Sequence, residues 1–135
     1  MGTWGEKTFQ NDSALDWLSE LEAQGASGLR AALTCAASTA SDDYLDVDDG
    51  SAALAAAEIV AAAHSGKRER LTAAASSWLD AHAGAISAED VVWTRRALRR
   101  VLADNSELRS LWAHEESWSN SVGELLTRVG GGEGE

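Results

Sequence analysis

Apolar residues along this chain recur at intervals of three and four, the period of a helix with one buried face. Ala14, Leu15, Trp17, Leu18 and Leu21 form such a stripe, with Asp16, Ser19, Glu20 and Glu22 turned to water. Asn11 or Asp12 is placed to cap this first helix, and Gly25 and Gly28 end it. A second helix is predicted over about 27–39 on Leu29, Leu33 and Ala36, with Cys35 a small core residue beside them. The Ala-rich stretch 51–64 has the highest helix propensity, with Asp48, Asp49 or Ser51 as its cap and Gly66 as its stop after His64. A fourth helix, about 68–82, carries Leu71, Ala74, Ala75, Trp78 and Leu79 and closes at Gly84.

Ser87 followed three residues later by Asp90 reads as a capping box. It opens a fifth helix that runs to about Ala103 and faces the core with Val91, Leu98, Val101 and Leu102. Asn105 or Ser106 begins a short sixth helix through Leu108, Leu111 and Trp112, and a last helix follows through Trp118, Val122, Leu125, Leu126 and Val129. No segment keeps the strict alternation of a strand, so no sheet is predicted beyond a short pairing near Thr3 and Trp4. The absence of proline suits helices joined by glycine-rich and polar turns.

The predicted fold is therefore all-α: one compact domain of six or seven helices over residues 1–129, with an N-terminal arm packed on it and a disordered glycine-rich tail over 130–135. A chain of 135 residues is of single-domain size, large enough to bury about two thirds of its unfolded surface. Alanine supplies much of the 44% apolar fraction, so the six tryptophans and the Leu, Val and Ile residues must hold the core.

Charge changes the picture next. The net charge of −11 argues against nucleic acid and anionic membrane as partners and favours a basic protein. The charge is also uneven. Residues 1–58 hold eleven acids against Lys7 and Arg30, whereas residues 59–135 hold eleven acids against nine bases. Either the acidic half lies against the basic cluster of the other half, or it faces a basic partner. The single cysteine allows no internal disulfide, no secretory leader opens the sequence, and no apolar run reaches the roughly 20 residues of a membrane span. A cytoplasmic location is expected.

Several blocks in combination resemble a known family. Gly2-Thr3-Trp4-Gly5, then Phe9, Asn11-Asp12, Ala14 and Asp16-Trp17, is similar to the opening of the bacterial family called domain of unknown function 4259. Tyr44-Leu45 with the Ala53–Glu58 run, Arg95-Arg96-Ala97, and the stretch from Asn105 to Trp112 extend the resemblance over nearly the whole chain apart from the tail. The family opening ordinarily has Gly and Pro where this chain has Glu6-Lys7-Thr8. The resemblance implies little about chemistry, because the family is defined without a function.

Residue chemistry narrows the choices. The acidic linker 42–50 suggests calcium, but an EF-hand loop begun at Asp46 puts Gly50 at position 5 and Ala57 at position 12, out of register for the required Gly and Glu. His64, His82 and His114 fall on different predicted helices without metal-binding spacing, and His64 and His82 sit near helix C-termini, where an imidazolium is favoured. Cys35 has no activating neighbour in the sequence that would make it a nucleophile. No metal or other cofactor is expected, and no catalytic residue is assigned.

Two clusters remain as candidate binding residues. Arg95, Arg96, Arg99 and Arg100 crowd one helix, with Arg96 and Arg100 expected to project beside Trp93 away from the core. They either bind an anion or an acidic partner, with Trp93 as a platform, or they pair with the acidic first half, through Asp42–Asp49 or the first helix. The other cluster is Trp4, Phe9, Asn11, Asp12, Asp16 and Trp17. It is either a plug and cap that closes the core, with Phe9 stapled on Leu15, or a pocket lined by Asn11, Asp12 and Asp16 and walled by the two tryptophans. The expected function is a non-enzymatic protein-interaction module of the immunity or antitoxin type. The alternative is a small-molecule-binding protein or enzyme built around the opening cluster.

Overall fold

The computed structural model describes residues 12–40, 42–68, 70–113 and 116–130. Seven helices account for most of them: α1 (Asp12–Gln24), α2 (Ala26–Ser38), α3 (Val47–Ser65), α4 (Ala73–His82), α5 (Ala88–Leu102), α6 (Glu107–Leu111) and α7 (Glu116–Arg128). A short 3₁₀ turn, Ala83–Ala85, joins α4 to α5. Among the described residues there is no strand, so the all-α expectation holds. The expected pairing near Thr3 and Trp4 and the glycine-rich tail beyond Gly130 lie outside the described residues.

α3 is the axis of the molecule. Every residue from Ala53 to Ala62 is buried, and α1, α2, α5 and α7 all pack against it. A helix covered on all sides needs apolar character all round its circumference. Its alanines let the neighbouring backbones come close, while Leu54, Ile59 and Val60 fill the spaces between them. Around it, Leu29, Leu33 and Ala36 of α2, Val91, Leu98 and Val101 of α5, and Trp118, Val122 and Leu125 of α7 turn inward on the predicted stripes.

Helix ends explain the turns. Gly25 is the only residue between α1 and α2, and its φ of 69° is a conformation that glycine adopts without strain. Gly66 closes α3 in the same left-handed region, with its N–H donating to the Ala62 carbonyl. The capping box of α5 is formed: the Ser87 hydroxyl accepts from the Asp90 N–H, and the Asp90 carboxylate accepts from the Ser87 N–H.

Four expectations need correction. α3 begins at Val47 rather than Ser51, and its cap is Asp46, whose carboxylate accepts the Asp49 N–H at 2.8 Å. Asp48 and Asp49 thus lie inside its first turn, where acids meet the positive end of the helix dipole. α4 begins at Ala73 rather than near Arg68, because Thr72 caps its first turn by accepting from the Ala75 N–H. Cys35 is exposed rather than part of the core, beside Asp49 at the start of α3. Leu111, one of the apolar residues through which the sixth helix is predicted to run, is 55% exposed because the five-residue α6 is too short to bury both ends of its stripe.

Candidate functional site

α1 and the start of α3 converge on a cleft of about 310 Å³ lined by Asp16, Trp17, Glu20, Asp48, Asp49 and Ala52. The helical period explains the grouping. Asp16 and Glu20 are four apart on α1, as are Asp48 and Ala52 on α3, so each pair stands on one face. Trp17 is buried, with only 9% of its surface exposed, and supplies the apolar wall. Four carboxylates around one indole make the cleft an attractive environment for a positively charged group.

The electrostatics of the α3 side agree. Asp49 has its carboxyl raised above the usual value, first by desolvation and then by the charges of Asp46 and Asp48, with the Cys35 thiol opposing the shift. The Cys35 thiol is itself raised, first by burial and then by the Asp49 charge. An incoming cation would relieve this crowding of negative charge. Among the described residues no group of three or more His, Cys, Asp or Glu is spaced to hold a metal ion.

Of the opening cluster, the structure brings Asp16 and Trp17 into the cleft. Trp4, Phe9, Asn11 and the Asp12 side chain lie outside the described residues; Asp12 is the first residue of α1. Glu20, Asp48 and Asp49 are additions that no sequence motif marks. The signal for Asp48 and Asp49 is the acidic linker, and that for Glu20 is the polar face of α1, but the position of the one against the other is set only by packing.

The arginine group divides. Arg96 projects as expected, with its guanidinium carbon 5.1 Å from the Trp93 ring centroid, in a cation–π contact on the outside of α5. Neither residue lines the acidic cleft. Arg100 was expected to project with them and instead turns inward, leaving only 7% of the residue exposed. Its guanidinium donates to five backbone carbonyls: Thr39 through Nε at 2.9 Å, Asp104 through Nη1 at 3.1 Å, and Asp43, Ala40 and Asn105 through Nη2 at 2.7, 3.2 and 3.3 Å. The basic cluster thus does reach the acidic linker, through its carbonyls rather than its carboxylates. Arg95 likewise donates to the carbonyl of Val129, at 2.7 Å.

A larger cavity, about 480 Å³, lies between the end of α3, α4 and the start of α5, with Leu79, Ile86 and Val91 among its lining residues. Its strongest base, Arg68, is already bound to Asp80 at 2.7 Å and to Ser76. That engagement makes it the weaker candidate for a charged ligand.

The fold and cleft together define a small all-α protein with an acidic cleft. The chain belongs to the family described as Domain of unknown function (DUF4259), which it matches over residues 2–122. Comparison with curated proteins and with solved structures gives no match.

Proposed function

We propose that this protein is a non-enzymatic interaction module, of the immunity or antitoxin type, that receives a basic side chain of a protein partner in the cleft between α1 and α3. The observation that carries this reading is the grouping of Asp16, Glu20, Asp48 and Asp49 around Trp17. A lysine or arginine entering there exchanges hydration for charge contacts and for the indole surface. The net charge of −11 adds long-range attraction for such a partner and raises its rate of encounter. A cytoplasmic setting suits the exposed, unpaired Cys35. Among the described residues no helix is long and apolar enough to cross a membrane.

The test is capture from the native host with the tagged full-length chain. A protein partner at near-stoichiometric amounts is expected, bound in a salt-sensitive way and lost when Asp16, Glu20, Asp48 and Asp49 are changed together to Asn and Gln. Absence of such a partner, or capture unchanged by the four substitutions, refutes the reading. The alternative, a small-molecule site, draws on the same cleft, since Asp16 and Trp17 do border a cavity. It requires a small cationic ligand that raises Tm in dialysed protein, and a protein partner that makes no use of the cleft.

A further inference from the structure

The acidic cleft has a wall whose position depends on residues far along the chain. The segment that leads into α3 passes over the α5–α6 turn, and the two are joined by a part-buried polar seam. Arg100 grips both sides of it, through the carbonyls of Thr39, Ala40 and Asp43 on one and of Asp104 and Asn105 on the other. Beyond the guanidinium, the Leu45 N–H donates to the Asn105 carbonyl at 2.8 Å and the Glu107 N–H donates to the Leu45 carbonyl at 2.9 Å, an isolated parallel bridge. The Glu107 carboxylate then accepts the Val47 N–H at 2.8 Å, satisfying one of the open donors of α3. Under the next turn Gly50 meets Leu108 so closely that a Cβ there would stand 3.0 Å from the leucine Cδ1.

Two features make this seam a unit rather than a row of separate contacts. The Asn105 carbonyl is shared, accepting from both Arg100 and Leu45. It is aimed by a backbone φ of 63°, a strained conformation for a non-glycine residue that persists only while its surroundings hold it. Bonds that share an acceptor and a strained turn form and break together. We propose that Arg100 is the latch of a local opening unit comprising the α2–α3 connector, the α5–α6 turn and the first turn of α3. Asp48 and Asp49, one wall of the cleft, then move with the latch, which regulates the site of the proposed interaction.

Native-state hydrogen exchange on the full chain tests this. The reporters are the amides of Leu45, Val47, Asp49, Gly50 and Glu107, each a donor in the seam or the first turn of α3. In Arg100→Lys, whose ammonium lacks the fork needed to reach all the carbonyls, these amides are expected to exchange faster by one common factor of roughly tenfold or more. In the parent protein Ile59 and Val60, in the middle of α3, are expected to exchange with a higher opening free energy and a steeper urea dependence than the reporters, because they open only with the whole fold. Glu107→Ala enters the seam from the opposite side, and the same set should accelerate together there. That variant carries the test if Arg100→Lys does not fold. The proposal is overturned if the reporters respond one by one, if Asp49 and Gly50 are unaffected, or if in the parent protein the reporters share the opening free energy and urea dependence of Ile59 and Val60. Exchange in the isolated chain needs no partner, so failure of the latch and failure of the interaction reading are separate results.

Discussion

Arg70 meets Glu58 side-on, with Nε and Nη2 both donating to Oε2 at 3.1 and 2.8 Å, in the middle of the most enclosed helix of the protein. The carboxylate side chain is 1% exposed, and the same guanidinium reaches on to Glu124 and to the hydroxyl and carbonyl of Ser121 on α7. The pair therefore ties the axis of the bundle to its last helix. Removing one partner leaves a charge in a poorly hydrated place, whereas removing both removes the problem. Arg70→Ala should cost about 3–5 kcal/mol in urea denaturation, and Glu58→Leu with Arg70→Met should recover most of it. A double variant no better than the single one would contradict this account.

The start of α5 offers a graded comparison. Asp90 is buried, serves the capping box, and receives Arg30 of α2 at 2.8 Å, while Arg30 also donates to the Ala85 carbonyl. Ser87→Ala removes one capping acceptor and should cost about 1 kcal/mol. Asp90→Ala removes the reciprocal cap and the Arg30 link together and should cost about 2–3 kcal/mol in the same denaturation experiment.

Arg96 and Arg100, one helical turn apart, should differ sharply. Arg96→Ala gives up an exposed cation–π contact and should cost about 0.5–1 kcal/mol. Arg100→Ala removes a donor from five carbonyls, of which only those of Ala40 and Asn105 keep a backbone N–H among the described bonds, and should cost more than about 3 kcal/mol. Equal effects on the denaturation midpoint would mean that the inward turn of Arg100 contributes little.

Cys35 and Asp49 make a pH prediction. Burial and the Asp49 charge push the thiol above its ordinary value of 9.0, so at pH 8 Cys35 should react with an aromatic disulfide reagent more slowly than an unperturbed thiol. Asp49→Asn removes the charge and should speed that reaction. For Asp49 the sign follows from its raised carboxyl: the folded state holds the proton more tightly than the unfolded chain. Its contribution to stability is then most favourable below the ordinary value of 3.8 and declines as pH rises through the raised one. Asp49→Asn should therefore gain stability relative to the parent between acid and neutral pH, measured as the difference in denaturation midpoint across that range.

Local signals were enough for most of the helices. The stripe of α1, the stop at Gly66 and the Ser87–Asp90 box depend on residues within about one turn of each other, and so are visible in the order of residues. The start of α3 is not legible in this way because its cap, Asp46, is one of several acids that could serve, and the choice is made by Asn105 and Glu107, which hold the backbone of Leu45 and Val47 from across the chain. Leu111 carries an apolar side chain at helical spacing, yet nothing in its neighbours along the chain reports that α6 stops before a partner covers it.

The candidate site divides the same way. That the protein is acidic, helical and rich in tryptophan, with most of its net negative charge in the first half, is a property of the sequence by itself. That Asp16 and Glu20 face Asp48 and Asp49 across one cleft, and that Arg100 turns inward while Arg96 points out, was decided only by the tertiary structure. The reason is physical. Periodicity sets the direction of a side chain relative to its own helix, whereas the partner it meets depends on which helices pack together. For Arg100 the carbonyls of a connector distant in sequence, those of Thr39 and Asp43, supplied a better environment than water, and no pattern within its own helix records them.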